Sequence, residues 1–254
     1  MQRYFINDYL FMNKLVYIKH DLYNHIINVM RLSVNSKIEF VDNLNNVYIA
    51  FLIKNDSKNK IAQFKIIDQV FINNELPLNV TIACGISKGN KTDKIVKNCT
   101  QLGASNFIFV PTQNCVAKWN DCKKKEHKIK RLQQIAIESS QQSHRDLIPK
   151  ICIFNNWKDI LKYQFDYKLV AYAEISKKKD RENHNKLLNV LRKIKPSQNI
   201  LVFFGPEGGF TKDEIEIMLN HNFYTIELGH RILRAEIAPI YFLSIISFYF
   251  EMLN

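Results

Sequence analysis

Two hydrophobic rhythms share this chain, and they change over at Asn73-Asn-Glu-Leu-Pro77. Before that point, short apolar runs alternate with polar turns: Lys37-Ile-Glu-Phe-Val41, Val47-Tyr-Ile-Ala-Phe-Leu-Ile53 and Ile61-Ala-Gln-Phe-Lys-Ile-Ile67. A period of two sends one face of each run to a core and the other to water, and the close spacing predicts a small β-barrel or sandwich. The turns at Asn35-Ser36 and Asp42-Asn43 use asparagine where glycine is usual, because asparagine tolerates left-handed backbone. One helix, over about 21–31, interrupts the strands. Pro77 favours extended chain before it. After it, strands at 78–83, 107–111, 168–173 and 201–204 alternate with helices at 91–102, 123–143 and 211–219, the order of an α/β domain with a largely parallel sheet. The 254 residues are enough for two cores, and the chain divides into domains 1–73 and 74–254.

Within the second domain glycine marks the site. The chain has 7 glycines, and Gly205, Gly208 and Gly209 fall within five positions. A chain so poor in glycine keeps it where backbone must turn sharply or a ligand must approach the main chain. Thr211-x-x-Glu214 is a capping box that opens a helix directly after this loop. The loop therefore stands at the carboxyl end of a strand, where open α/β sheets bind ligands. It matches neither the phosphate-binding P-loop nor the dinucleotide fingerprint. A second loop follows the strand at 224–228: Gly229, then His230-Arg-Ile-Leu-Arg234, then an apolar helix from Pro239. Two adjacent strand-end loops can enclose a flat, mostly neutral ligand through backbone groups, leaving Arg231 and Arg234 for an anion. The competing role for these arginines is to pair with Glu207 or Glu236 and hold the loop.

A net charge of +12 directs attention to a polyanionic partner, since lysine and arginine release counterions from phosphates. The run Lys123, Lys124, Lys125, Lys128, Lys130 and Arg131 is read either as a phosphate contact or as a solvated helix face. Cys84, Cys99, Cys115, Cys122 and Cys152 form no C-x-x-C and no histidine set, so the expectation is reduced thiols in a cytoplasmic protein with no metal. No signal-peptide core is seen at the N-terminus. The apolar run 237–253 contains Ser244, Ser247 and Glu251 and falls short of the ~20 residues that span a bilayer, so a buried helix and no membrane partner are expected.

Gly205-Pro-Glu-Gly-Gly-Phe210 with Thr211-x-x-Glu214, and Leu228-Gly-x-Arg231-Ile-Leu-Arg234-x-Glu236-x-Ala238, resemble the two C-terminal signatures of the RsmE family. These are 16S rRNA uridine-N-methyltransferases of the SPOUT superfamily. Residues 88–103, the stretch Glu138 to Arg145 with Pro149, Arg3 and Val29-Met-Arg31 also resemble family segments, in the same order. The resemblance implies an N-terminal PUA-like, RNA-binding β-barrel plus a C-terminal SPOUT α/β domain with a trefoil knot. It further implies S-adenosyl-L-methionine as cofactor, a homodimer, and methylation of nitrogen 3 of one uridine in 16S rRNA of the small ribosomal subunit.

Carried over by position, Phe204, Gly205, Pro206, Glu207, Gly208, Gly209, Leu228, Gly229, Ile232 and Leu233 would form the cofactor wall. Arg234 would face the methyl-transfer site, and Arg3, Arg31, Lys88, Arg145 and Arg231 would contact RNA. The chain departs from the family with Ala235 and Ile237 where threonine is common, and with His144 where glycine precedes the arginine. The departures at 235 and 237 keep a third reading in play, a PUA-type RNA-binding protein whose methylating site has decayed. The second is a related SPOUT enzyme acting on ribose hydroxyls of tRNA or rRNA.

Overall fold

The computed structural model describes residues 1–6, 11, 12, 14–117, 119, 121–172 and 186–253. The polar segment 176–185, whose composition reads as a surface loop and helix start, lies outside these residues. The chain forms two compact units: Met1–Asn74 with Ser140–Leu147, and Glu75–Ser139 with Ile148–Asn254.

The first unit is built on a six-stranded sheet of β1 (Gln2–Phe5), β2 (Phe11–Met12), β3 (Leu15–Ile18), β4 (Lys37–Val41), β5 (Val47–Asp56) and β6 (Ile61–Val70). The spatial order is β1-β4-β5-β6-β3-β2. β1 runs parallel to β4, and the other pairs are antiparallel. The period-two pattern operates as expected: Ile38, Phe40, Ala50, Leu52, Ala62 and Phe64 enter one core with Tyr4, Val16, Ile18 and Ile26. Phe40 and Phe64 meet edge to face at 5.2 Å. β5 and β6 run past their apolar segments, with shifts of register at Ile49/Ala50 and Leu52/Lys54. Asn35 and Asn45 take left-handed φ of 71° and 64° at the turns. In the second turn the Asp42 carboxylate accepts from the backbone N–H of Leu44 at 2.9 Å and Asn46 at 2.8 Å. The expected helix is present as α1 (His20–Tyr23) continuing into π-type turns over Asn24–Val29, and Arg31 follows with φ 54°.

A charged cluster explains why Ser140–Leu147 belongs with this unit. Arg3 donates from Nε to Glu39 Oε2 at 2.8 Å and from Nη1 to the carbonyl of His144 at 2.6 Å, and it also pairs with Asp146. The other carboxylate oxygen of Asp146 accepts from the Asn74 N–H at 2.9 Å. His144 holds φ 55° and places Nδ1 3.1 Å from Glu39 Oε2, so the residue standing in for a glycine occupies a left-handed turn and adds a side-chain contact.

The second unit follows the predicted alternation. Its elements are β7 (Asn79–Gly85), α2 (Lys91–Gln101), β8 (Asn106–Val110), α3 (Cys122–Gln142, whose last residues cross into the first unit), β9 (Lys150–Ile153), a 3-10 turn at Trp157–Lys162, β10 (Tyr167–Ala171), α4 (Lys186–Leu191), β11 (Asn199–Phe204), α5 (Lys212–Asn220), β12 (Phe223–Ile226) and α6 (Ala238–Ser247), which ends in π-type turns over Phe248–Met252. The strands form one parallel sheet in the order β12-β10-β11-β7-β8-β9. Both faces are covered, which is why the strands read as continuous apolar runs. Val80, Ile82, Val202 and Phe204 join Ile95, Val96, Cys99, Phe242 and Ile246 on one side. Ala83, Leu201 and Phe203 join Trp157, Phe210, Ile215 and Met218 on the other.

Candidate active site

The connections leaving the two middle strands go opposite ways, from β7 to β8 and from β11 over β10 to β12. β7 leads to β8 and β9 on one side, while β11, β10 and β12 lie on the other. Between β7 and β11 the strand order reverses, and the crevice beyond their carboxyl ends is where such sheets take ligands. Here the chain leaving β7 meets the glycine loop leaving β11. A Cβ on Gly85 would stand 2.5 Å from Pro206 Cδ and 2.7 Å from Pro206 N, so the close approach of the two strand ends requires glycine. Gly85→Ala is expected to push Pro206 out of place and to cost about 1–3 kcal/mol by overpacking. Thermal unfolding measures the cost; an unchanged melting temperature would show that the strand ends can separate freely.

A cavity of ≈ 570 Å³ opens at this point, within the size range of small-molecule sites. All ten residues expected to form the cofactor wall line it: Phe204, Gly205, Pro206, Glu207, Gly208 and Gly209 from one loop, and Leu228, Gly229, Ile232 and Leu233 from the other. Arg231 and Arg234 line it as well. Apolar side chains supply most of the wall of the second loop, and Ile232 is 70% exposed.

The capping box forms as the spacing predicts. Thr211 Oγ1 accepts from the Glu214 N–H at 3.2 Å, and Glu214 Oε2 accepts from the Thr211 N–H at 2.9 Å. Glu207 accepts from the Lys91 ammonium at 2.7 Å and from the Lys88 N–H at 3.2 Å. Partial burial pushes its carboxyl upward, but the bond from Lys91, its own and Lys88's backbone N–H groups, and the Lys91 charge outweigh that and hold it below the usual glutamate value. With Glu207 engaged by Lys91, neither Arg231 nor Arg234 pairs with it or with Glu236. Among the described residues both guanidinium groups are exposed and without a hydrogen bond or ion pair. The loop-holding role for these arginines is therefore not the one they play.

The five residues expected to contact RNA divide. Arg31 and Lys88 are exposed, and Arg231 stands at the cavity. Arg3 and Arg145 are 4% and 2% exposed, so neither presents a guanidinium at the surface; Arg3 is consumed by Glu39 and Asp146. The charge run on α3 is partly internal packing too. Lys128 and Arg131 both pair with Asp93 of α2, and Lys128 lies 5.4 Å from the Trp119 ring centre.

Of the departures at 235 and 237, Ala235 lines the cavity, whereas Ile237 stands outside that lining at the N-cap of α6 and offers no side-chain cap. Sequence reasoning passed over Lys91, Tyr172 and Glu227, which also line the cavity. Tyr172 directly follows β10 and Glu227 directly follows β12. Their signal was position at a parallel strand's carboxyl end, without any glycine to mark it.

The RNA methyltransferase domain family matches residues 74–247, and the RNA methyltransferase PUA domain family matches residues 18–65. The protein named ribosomal RNA small subunit methyltransferase E of Bacillus subtilis is 35% identical over 233 residues, covering 91% of this chain and 89% of its own. Its namesake from Mesomycoplasma hyopneumoniae is 32% identical over 202 residues, covering 79% and 81%. The crystal structure of the Neisseria gonorrhoeae protein of the same name, bound to S-adenosyl methionine, superposes with a TM-score of 0.82 at 25% identity over 98% of each chain.

Proposed function

Because the chain belongs to the RNA methyltransferase family whose members are named ribosomal RNA small subunit methyltransferase E, we propose that it transfers a methyl group from S-adenosyl-L-methionine to nitrogen 3 of one uridine in 16S rRNA. The observation that carries this reading is the pair of unpaired guanidinium groups, Arg231 and Arg234, at a cavity lined by the glycine loop and the apolar side chains of Leu228, Ile232 and Leu233.

The residues fit the methyl donor. Glycine at 205 lets the loop fold tightly on itself at the cavity, since a Cβ there would meet Gly209 Cα at 3.1 Å. Leu228, Ile232 and Leu233 offer apolar surface for a flat base. When bound, the donor supplies a methyl group already activated by its sulfonium. The two loops have to hold that group in line with the uracil and keep water from it. Uracil must give up its N3 proton to solvent before the nitrogen can take the methyl, and the anion left behind carries its negative charge on the carbonyl oxygens. Arg234, which lines the cavity and is free of a competing carboxylate, is the group to stabilise that charge. Arg31, Lys88 and Arg231 are exposed cations for the RNA backbone.

The same reading includes a closed PUA-like barrel over 1–73, a C-terminal trefoil knot and a homodimer. α6 packs beside the glycine loop's strand, with Phe242 6.0 Å from Phe204, and this return of the C-terminal helix supports the knot. Ile232, Ile237, Tyr241, Phe248 and Met252 are exposed, an apolar surface that suits a second copy. The five free thiols suit a cytoplasmic setting.

Labelled S-adenosyl-L-methionine incubated with unmodified small ribosomal subunits tests the whole proposal. The expected product is 3-methyluridine at a single position. Label on a ribose hydroxyl would support the related SPOUT reading instead, and absence of donor binding in calorimetry would support the decayed site.

A further inference from the structure

The glycine loop does not hold its shape alone. A turn that follows β8, Gln113-Asn-Cys115, is fastened to it along its length. Asn114 Nδ2 donates to the carbonyl of Gly208 at 3.0 Å and to that of Gly209 at 3.3 Å. Glu214, 3% exposed, accepts from the Gln113 N–H at 2.8 Å with the carboxylate oxygen that the capping box leaves over. Thr211 Oγ1 donates to Gln113 Oε1 at 2.9 Å. The contact is tight as well as polar: a Cβ on Gly208 would lie 2.8 Å from Asn114 Cβ.

This bracing decides which backbone groups the cavity receives. The Gly208 and Gly209 carbonyls are engaged by Asn114, and no peptide bond in the described chain is cis, so the Phe210 N–H points away from Asn114. That N–H finds no acceptor among the described residues, and Phe210 lines the cavity. Asn114 itself is not part of the lining. We propose that Asn114 is a positioning residue for the methyl donor: its carboxamide holds two carbonyls of the glycine loop out of the cavity and leaves the Phe210 N–H to meet the ligand, while the Gly209 N–H stays within the loop on the Pro206 carbonyl at 2.9 Å. The proposal rests on the methyltransferase reading above and names a residue that serves it from outside the cavity.

Asn114→Asp keeps the shape and removes the donor, setting a carboxylate against two carbonyl oxygens. The Kd for S-adenosyl-L-methionine by calorimetry, and the KM for it in the transfer assay, are expected to rise at least about tenfold, the loss of two hydrogen bonds. The KM for ribosomal subunits should stay near the unaltered value, and the melting temperature should fall by only a few degrees. Asn114→Ser, which retains one short donor, should fall between the two. A folded Asn114→Asp protein with the original Kd overturns the proposal. Should that variant unfold, Asn114→Ser decides it, an unchanged Kd again overturning it. If the unaltered protein binds no S-adenosyl-L-methionine, the methyltransferase reading fails first and takes this one with it; if the unaltered protein binds and the variants bind equally, only this one fails.

Discussion

Arg234→Ala is expected to lower methyl transfer by at least about a hundredfold while the protein stays folded, since removal of one donor to a developing oxyanion costs roughly 10²–10³ in turnover. The structural grounds are specific. Arg234 lines the cavity, is exposed, and has no ion pair or side-chain hydrogen bond among the described residues, so removing its guanidinium strands no buried carboxylate. Its backbone carbonyl, which accepts from the N–H groups of Ile237 and Ala238 at 2.9 and 3.0 Å, is untouched by the change. Single-turnover transfer to small ribosomal subunits, with thermal unfolding measured alongside, separates chemistry from stability. A variant with near-normal turnover would place the reacting centre elsewhere.

Arg3→Ala should act in the opposite way, with the largest effect on stability. The Arg3 side chain is 2% exposed and balances two carboxylates whose side chains are 12% and 9% exposed. Deleting one partner of a buried charge cluster costs about 3–5 kcal/mol, because the remaining charges stay buried without compensation. Urea titration should show a clear fall in the unfolding midpoint. Salt dependence of RNA binding provides the contrast: a phosphate contact would lower the slope by roughly one on removal. No such change is expected for Arg3, whereas Arg31→Ala should show it without loss of stability.

That contrast shows what could be read in advance. The glycine loop was legible because the chain is otherwise poor in glycine, and the capping box because Thr211 and Glu214 interact over three residues. The β4, β5 and β6 runs were legible because alternation is a local property. Partners distant in sequence were not. Nothing near Arg3 reveals that Glu39 and Asp146 await it 36 and 143 residues away, so the resemblance alone assigns it an RNA contact, and its burial shows otherwise. β9 is short, with only Ile151 buried, and gave no pattern to detect. Asn114 resembles any turn asparagine until the Gly208 and Gly209 carbonyls are set beside it. Lys91 reads as a helix start, and its bond to Glu207 depends on two loops meeting at the point where the strand order reverses.

The place of Ser140–Leu147 in the first unit bears on how the chain is made. An N-terminal domain ordinarily folds while its successors are still being translated. Here Arg3 and Glu39 leave the ribosome early, but His144 and Asp146 follow Asn74 by several seconds at roughly 5–20 residues per second. During that interval the nascent unit carries a cation with half its counter-charge missing. A fragment cut after residue 74 would keep the same defect permanently. The part of this protein synthesised first is thus not completed until well over half the chain has emerged.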